Sequence, residues 1–322
     1  MNPIQPFSDF FEEEINSYTF PITPINLYDP LTYFLSLGGK RIRPLLTLMS
    51  AELFNSTKRE AIHASMAVEF FHNFSLIHDD IMDKAPLRRG KETVHLKWND
   101  DIAILSGDVL LIKAYQELAK QNAVHIPALL TLFNQTAVEV CEGQQMDMDF
   151  ESVEQVSISE YIEMIRLKTS VLLGCALEFG AIIANADESD RKHIYSFGQN
   201  LGVAFQIQDD ILDLYGDPEK FGKQIGGDIL SNKKTILLLK AKEAAININS
   251  NSIQELLKMT DSENKIATAK QLFEEFGVVS FAKETMREFQ RNALESLHRI
   301  SVPQEQKQTL IALAELLLIR EI

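Results

Sequence analysis

The chain has 322 residues, enough for a large core, and its 45% hydrophobic and 24% charged content is that of an ordinary globular protein. A net charge of −15 argues against nucleic acid, which asks for a basic face. No apolar run reaches the roughly 18 residues of a bilayer span, and the acidic N-terminus lacks the basic and apolar regions of a signal peptide. Small-molecule partners, no nucleic acid, no transmembrane segment and a cytoplasmic setting are the expectation.

Only 14 glycines and 10 prolines punctuate the chain, which favours long helices. Residues 1–30, broken by prolines, predict a short helix and an irregular entry. After Pro44 the text turns helical. LLTLMSAELF and AIHASMAVEFFHNFSLIHDDIMD carry apolar residues at spacings of three and four. ILSGDVLLIKAYQELAK opens on a plausible helix start. Segments 128–149, 159–184, 190–215, 233–245, 251–258, 264–275, 278–299 and 303–321 read as further helices. Segments 164–183 and 198–212 are apolar most of the way round and predict interior helices. No strand alternation or linker is visible, so a single all-α domain over 1–322 is expected. Cys141 and Cys175 lie in apolar helical segments and read as buried free thiols of a reducing cytosol.

The first box, LIHDDIMD, ends an apolar segment with Asp79, Asp80 and Asp83. On a helix Asp79 and Asp83 share a face, with Asp80 in reach, and like charges at that spacing repel. The triplet recurs as Asp209, Asp210 and Asp213 in FQIQDDILD, again after an apolar run. A hard divalent cation removes the repulsion. Mg²⁺ is held by one or two carboxylates while substrate phosphates complete its shell. Two such clusters facing across a cavity would gather several Mg²⁺ ions around one diphosphate. No Cys or His pairs at zinc spacing compete.

Basic residues answer the same anion: Arg88 and Arg89 after the first box, Lys223 and Lys233 after the second, Lys168 beside Thr169 in an apolar stretch, and Lys40, Arg41 and Arg43 in GGKRIRP. The glycines form neither a Walker loop nor a GxGxxG turn.

With GGKRIRP (38–44), LIHDDIMD (76–83), LRRG (87–90), GQQMD (143–147), KT (168–169), FQIQDDILD (205–213), GKQIGGD (222–228) and NKKT (232–235) in this order, the sequence resembles the trans-prenyltransferases of the polyprenyl synthetase family. The resemblance implies ten or more helices around a central cavity, usually as a homodimer. It implies head-to-tail condensation of isopentenyl diphosphate with an allylic diphosphate, dependent on Mg²⁺. By the same resemblance Asp79 and Asp83 bind two of about three Mg²⁺ ions and Asp209 the third, with Asp80, Asp210, Asp213 and Asp228 in support. Arg88, Lys168, Lys223 and Lys233 would hold the allylic diphosphate. Lys40, Arg43, His72 and Arg89 would hold isopentenyl diphosphate. Gln206 and Thr169 would sit over the reacting carbons and the diphosphate. Where the family has GK before the last lysine, this chain has Asn232-Lys233.

The chemistry fits these residue types. Negative charge grows on a departing diphosphate and positive charge on an allylic carbon, so metal and lysine charges belong on the first and a dry apolar wall around the second. No histidine base is required, and neither His78 nor His72 is given that role. Phe74, five residues before Asp79, and the small Ser75 fall where the family limits product length; they favour a geranylgeranyl (C20) over a farnesyl (C15) product. The apolar 103–119 segment is a candidate dimer interface. The alternatives are a class I terpene cyclase, a non-catalytic partner subunit of a prenyl synthase, and a helical scaffold with surface acids.

Overall fold

In the computed structural model, residues 3–216 and 225–318 are described. Among them the all-α expectation holds. The helices are α1 (Gln5–Ser17), α2 (Ile25–Ser36), α3 (Ile42–Leu53), α4 (Lys58–Met82), α5 (Val94–Lys97), α6 (Asp100–Leu118), α7 (Ile126–Ser152), α8 (Ile158–Ile165), α9 (Val171–Ile183), α10 (Glu188–Tyr215), α11 (Gly227–Leu230), α12 (Ile236–Asn247), α13 (Ser252–Lys258), α14 (Ser262–Glu275), α15 (Val278–His298) and α16 (Gln304–Leu318).

Local chemistry starts the helices that matter. Thr57 accepts from the Glu60 amide, and the Glu60 carboxylate accepts from the Thr57 amide at 3.0 Å. This reciprocal cap launches the 25 residues of α4, which run straight into the first aspartate box. Ser157 and Glu160 repeat the device ahead of α8. Asn99 caps α6 through the amide of Ile102.

The described residues fall into two compact units. The first draws on Met1–Asn134, Cys175–Ile194 and Ile300–Leu310, the second on Gln135–Gly174, Tyr195–Arg299 and Ile311–Ile322. The core of the first holds Phe11, Phe34, Leu46, Leu48, Phe70, Phe71, Phe133 and Phe179, all fully buried. Gly180 lets α9 lie so close to α3 that an added Cβ would sit 2.4 Å from the Thr47 carbonyl oxygen. In the second, Ile207, Ile211 and Leu214 of α10 pack with Ile236–Leu239 of α12 and with Leu256, Phe273 and Val278. The stretches 171–177 and 201–204 are buried throughout, as the all-round apolar segments predicted.

Five readings need correction. The helix start read in ILSGDVLLIKAYQELAK falls inside α6, whose cap is Asn99. Residues 5–36 form two helices, not one and an irregular entry: Phe7, Phe11 and Ile15, spaced by four, give α1 a buried face. A two-stranded hairpin, β1 (Leu87–Arg88) and β2 (Lys91–Glu92), closes through Arg89 (φ 54°) and Gly90 (φ 75°), the double positive-φ turn that suits a right-twisted ribbon. Two-residue strands leave no alternation to read. Segment 159–184 is not one α-helix but α8, a π-helical turn over Arg166–Ser170, and α9. Cys141, on α7, is exposed, while Cys175 is buried; neither is in a disulfide. No described helix is long and apolar enough to cross a membrane.

Candidate active site

In the first unit Asp79 and Asp80 lie in the last turn of α4. Asp83 caps it, its amide bonding the Asp79 carbonyl at 2.8 Å. Three carboxylates at a helix C-terminus oppose the macrodipole as well as one another, a placement that calls for a cation. Asp80 is buried at 1% exposure, and the Arg88 guanidinium reaches back from β1 to grip it through Nε at 3.0 Å and through Nη2. Burial raises the Asp80 pKa; Arg88 works against that rise and Asp79 adds to it.

The three cations of GGKRIRP divide. Arg41 takes a left-handed backbone (φ 48°) and turns into the core, where it pairs with the buried Glu69 of α4 at 2.5 Å and donates to the Leu35 carbonyl at 2.8 Å. Asn73, one turn on, donates to the same Glu69 oxygen at 2.8 Å. The neighbouring Lys40 is exposed. Arg43 meets His72 at 3.1 Å. Burial, and then the cations Arg43, Arg89, Arg88 and Arg41, hold the His72 pKa well below its ordinary value, so the ring is neutral and its Nε2 accepts from Arg43. Burial, and secondarily Arg89, brings Arg43 down to about 10, with Glu69 opposing. Arg89, itself at positive φ, lays its guanidinium on Gly39: an added Cβ there would stand 2.7 Å from it. Arg43 and Arg89, with the neutral His72, thus form a preassembled cluster of net positive charge, the kind of surface that receives a phosphate.

In the second unit Asp209, Asp210 and Asp213 occupy the last two turns of α10. Asp210 is buried and accepts from the Tyr161 hydroxyl at 2.5 Å and the Ile236 amide at 3.3 Å. Burial first, and the nearby Asp228 second, push its pKa up to about 7. Asp213 accepts from the Asp228 amide at 3.0 Å, tying α11 to α10. The π-helical turn carries Lys168 and Thr169. Gly143 of α7 lies so close that an added Cβ would stand 2.1 Å from the Lys168 amide nitrogen, and Gly202 of α10 abuts Ser170 on the same turn. This approach lets Lys168 pair with Asp147, one turn past Gly143, at 2.6 Å. Lys168 and Lys233 keep the Asp147 pKa low despite its burial. A cavity lining of Asp210, Asp213, Asp228, Lys233 and Thr235 joins the α10 carboxylates to the lysine loop. Among the described residues no set of three or more acidic, His or Cys side chains is gathered to hold a metal unaided.

A model of the polyprenyl synthetase family matches residues 25–276. The chain belongs to that family. It is 40% identical to a geranylgeranyl pyrophosphate synthase of Geoglobus acetivorans over 301 residues, 92% of each chain. It is 35% identical to a geranylfarnesyl diphosphate synthase of Aeropyrum pernix, covering 90% and 92% of the two. The crystal structure of a geranylgeranyl pyrophosphate synthase matches it with a TM-score of 0.95 at 46% identity, over 100% of both chains. The fold is therefore the isoprenoid synthase fold, and the activity that of an isoprenyl diphosphate synthase, a trans-prenyltransferase of a family that typically uses Mg²⁺.

In this synthase the sequence-predicted residues fall in two local groups. Lys40, Arg43, His72, Arg88, Arg89 and Asp79, Asp80, Asp83 belong to the first unit. Lys168, Thr169, Gln206, Lys233 and the α10 aspartates belong to the second. Lys223 lies outside the described residues. Asp147 and Tyr161 were given no role from sequence. A signal was present for Asp147, four after Gly143 on the same helix; none marked Tyr161, whose partner Asp210 lies 49 residues on. The departure at Asn232 also has a physical account. It sits at φ 59°, where the family's glycine is at ease and asparagine is the next best tolerated. Its side chain donates to the Leu257 carbonyl at 3.3 Å and accepts from the buried Lys265 at 2.7 Å, pinning the lysine loop to α13 and α14.

Proposed function

We propose that this synthase adds isopentenyl diphosphate head-to-tail to dimethylallyl, geranyl or farnesyl diphosphate and stops at the C20 product, geranylgeranyl diphosphate. The observation that carries the product length is Phe74. Phe70 and Phe71 beside it are fully buried, whereas Phe74 keeps an exposed face five residues before Asp79. Its ring is braced edge-on by His78 at 4.8 Å and rests on Phe71 at 5.7 Å, which Phe133 backs at 5.2 Å. A ring so backed is a stiff floor for a prenyl tail growing along α4. Ser75, its hydroxyl folded onto the His72 carbonyl, leaves the adjoining position small. The geranylgeranyl synthases among its relatives support the reading.

In this reading Asp79 and Asp83 hold two Mg²⁺ ions and Asp209 a third, and the carboxylates at helix C-termini fit that donor chemistry. Bound there, Mg²⁺ offsets the charge of a diphosphate as it leaves carbon. Arg88, Lys168, Lys233 and Lys223 take the rest of the allylic diphosphate, so Arg88 trades part of its hold on Asp80 for phosphate. Lys40, Arg43, His72 and Arg89 bind isopentenyl diphosphate, with His72 neutral and donating no proton. Thr169 and Gln206 face the reacting carbons. The apolar wall of each aspartate-bearing helix excludes water, and the fixed charges then act at low dielectric, where one unit-charge pair at about 4 Å is worth about 4 kcal/mol against ~1 in water. The outer face of α6, with Ile104, Leu105 and Ile112 exposed, is the proposed homodimer interface.

The test is labelled isopentenyl diphosphate with C5, C10 and C15 primers, products resolved by length. All three primers are expected to end at C20, and Phe74→Ala to pass it. Unchanged lengths in Phe74→Ala would remove that residue as the floor. Turnover without isopentenyl diphosphate would instead mark a terpene cyclase, and an inert purified chain a partner subunit.

A further inference from the structure

A cavity of about 590 Å³ opens in the first unit between the C-terminal end of α2, the hairpin and Lys97 of α5. No aspartate of either box lines it. Its charged lining is Arg89, Lys91 and Lys97 against the single carboxylate Glu92. This is unusual for a chain of net charge −15: residues 84–97 carry five Lys and Arg and one Glu. Lys97 has its ammonium over the rings of Tyr33 at 5.0 Å and Trp98 at 5.4 Å. A cation seated on aromatic rings is held in position for an anion. The Tyr33 hydroxyl donates to the Glu92 carbonyl at 2.8 Å, so α2 and the hairpin form fixed walls. Leu37 and Leu87 supply apolar lining beside the cations. Arg89 borders two places: the cavity on one side, and on the other Gly39, beside the cluster of Arg43 and His72.

We propose that this cavity is a second diphosphate site, outside the reaction centre, for inorganic pyrophosphate or a small organic diphosphate. Its occupant engages Lys91, Lys97 and Arg89. By drawing Arg89 away, it weakens isopentenyl diphosphate binding, so excess diphosphate inhibits competitively. The regulatory part rests on the proposed role of Arg89; the site itself rests on the cavity and its charges.

The experiment is calorimetric titration of the whole protein in EDTA, with inorganic pyrophosphate in one arm and isopentenyl diphosphate in the other. The wild type is expected to show two sites. Lys91→Ala/Lys97→Ala, which spares the reaction centre, is expected to show one, with kcat and KM unchanged at low substrate and inhibition by excess diphosphate relieved at least fivefold. Ser36→Trp, which fills the cavity and keeps both lysines, should give the same result. Loss of a site in both arms supports the proposal and makes the diphosphate group sufficient. Loss in the isopentenyl arm alone supports it and adds a need for the organic tail. Two variants that bind and are inhibited like the wild type overturn it. Absence of prenyl product in the labelled assay would sink the function reading instead, and the calorimetry does not depend on turnover.

Discussion

The two aspartate boxes have the same spelling and different surroundings. In both, the middle aspartate is buried near the C-terminus of a long apolar helix. Asp80 is met by a guanidinium from the following hairpin, a full charge that opposes the cost of burial. Asp210 is met by the phenol of Tyr161 and an amide, with a second carboxylate, Asp228, nearby. The first is an ion pair and the second a hydrogen-bonded acid that shares the pH 7 range. The glycines behind the cations differ in the same way. Gly39 makes room for the movable end of Arg89, whereas Gly143 makes room for the backbone of Lys168. One motif thus permits two electrostatic solutions, and its neighbours decide which.

The largest break in this comparison is expected from Gly143→Ala. Its Cβ would meet backbone at 2.1 Å, and the π-helical turn must move. A loss of about 3 kcal/mol in denaturant unfolding is expected, with loss of activity. Gly39→Ala meets a side chain that can shift, but φ of 138° strains any residue with a Cβ; it is expected to cost about 1–3 kcal/mol and to raise KM for isopentenyl diphosphate about tenfold, read by denaturant unfolding and steady-state kinetics. Next in size is the pair Arg88→Met and Tyr161→Phe. Removing Arg88 strands a buried charge and should cost about 2–3 kcal/mol at pH 8, while removing one phenol should cost about 1. Equal losses by calorimetry would erase the distinction between the boxes.

A pH series sharpens it. The folded-state pKa of Asp210, about 7, lies above the roughly 4 of an unfolded carboxylate. The folded chain therefore binds the extra proton, and this group's stabilisation is full below pH ~4 and lost as pH climbs toward 7. In metal-free buffer Asp210→Asn should melt with the wild type near pH 4 and above it at pH 8, by about 2–4 °C for each kcal/mol recovered. A difference that does not change with pH would contradict the assigned protonation. The smallest effect is expected for Asn232→Gly. It keeps the backbone turn and removes the bridge to Lys265 and Leu257, costing about 1 kcal/mol and raising KM for the allylic substrate a few-fold.

The sequence by itself determined the helices and the chemistry. Spacing of apolar residues, the Thr57 and Ser157 caps, and carboxylate triplets closing apolar runs are local patterns, set within one or two turns. Apolar spacing was enough to read an all-α chain, and the ordered motifs from GGKRIRP to NKKT were enough for the resemblance to the trans-prenyltransferases. Only the tertiary structure showed where Arg41 goes, inward onto Glu69 and beside Asn73 of another helix, while Arg43 meets His72. It alone brought Asp147 to Lys168 and Tyr161 to Asp210, partners 21 and 49 residues apart. It alone opened the π-helical turn between Gly143 and Gly202 and explained Asn232 through Lys265. A side chain's charge is written in its own letter; which partner desolvates, pairs or pins it depends on backbones packed close from distant parts of the chain.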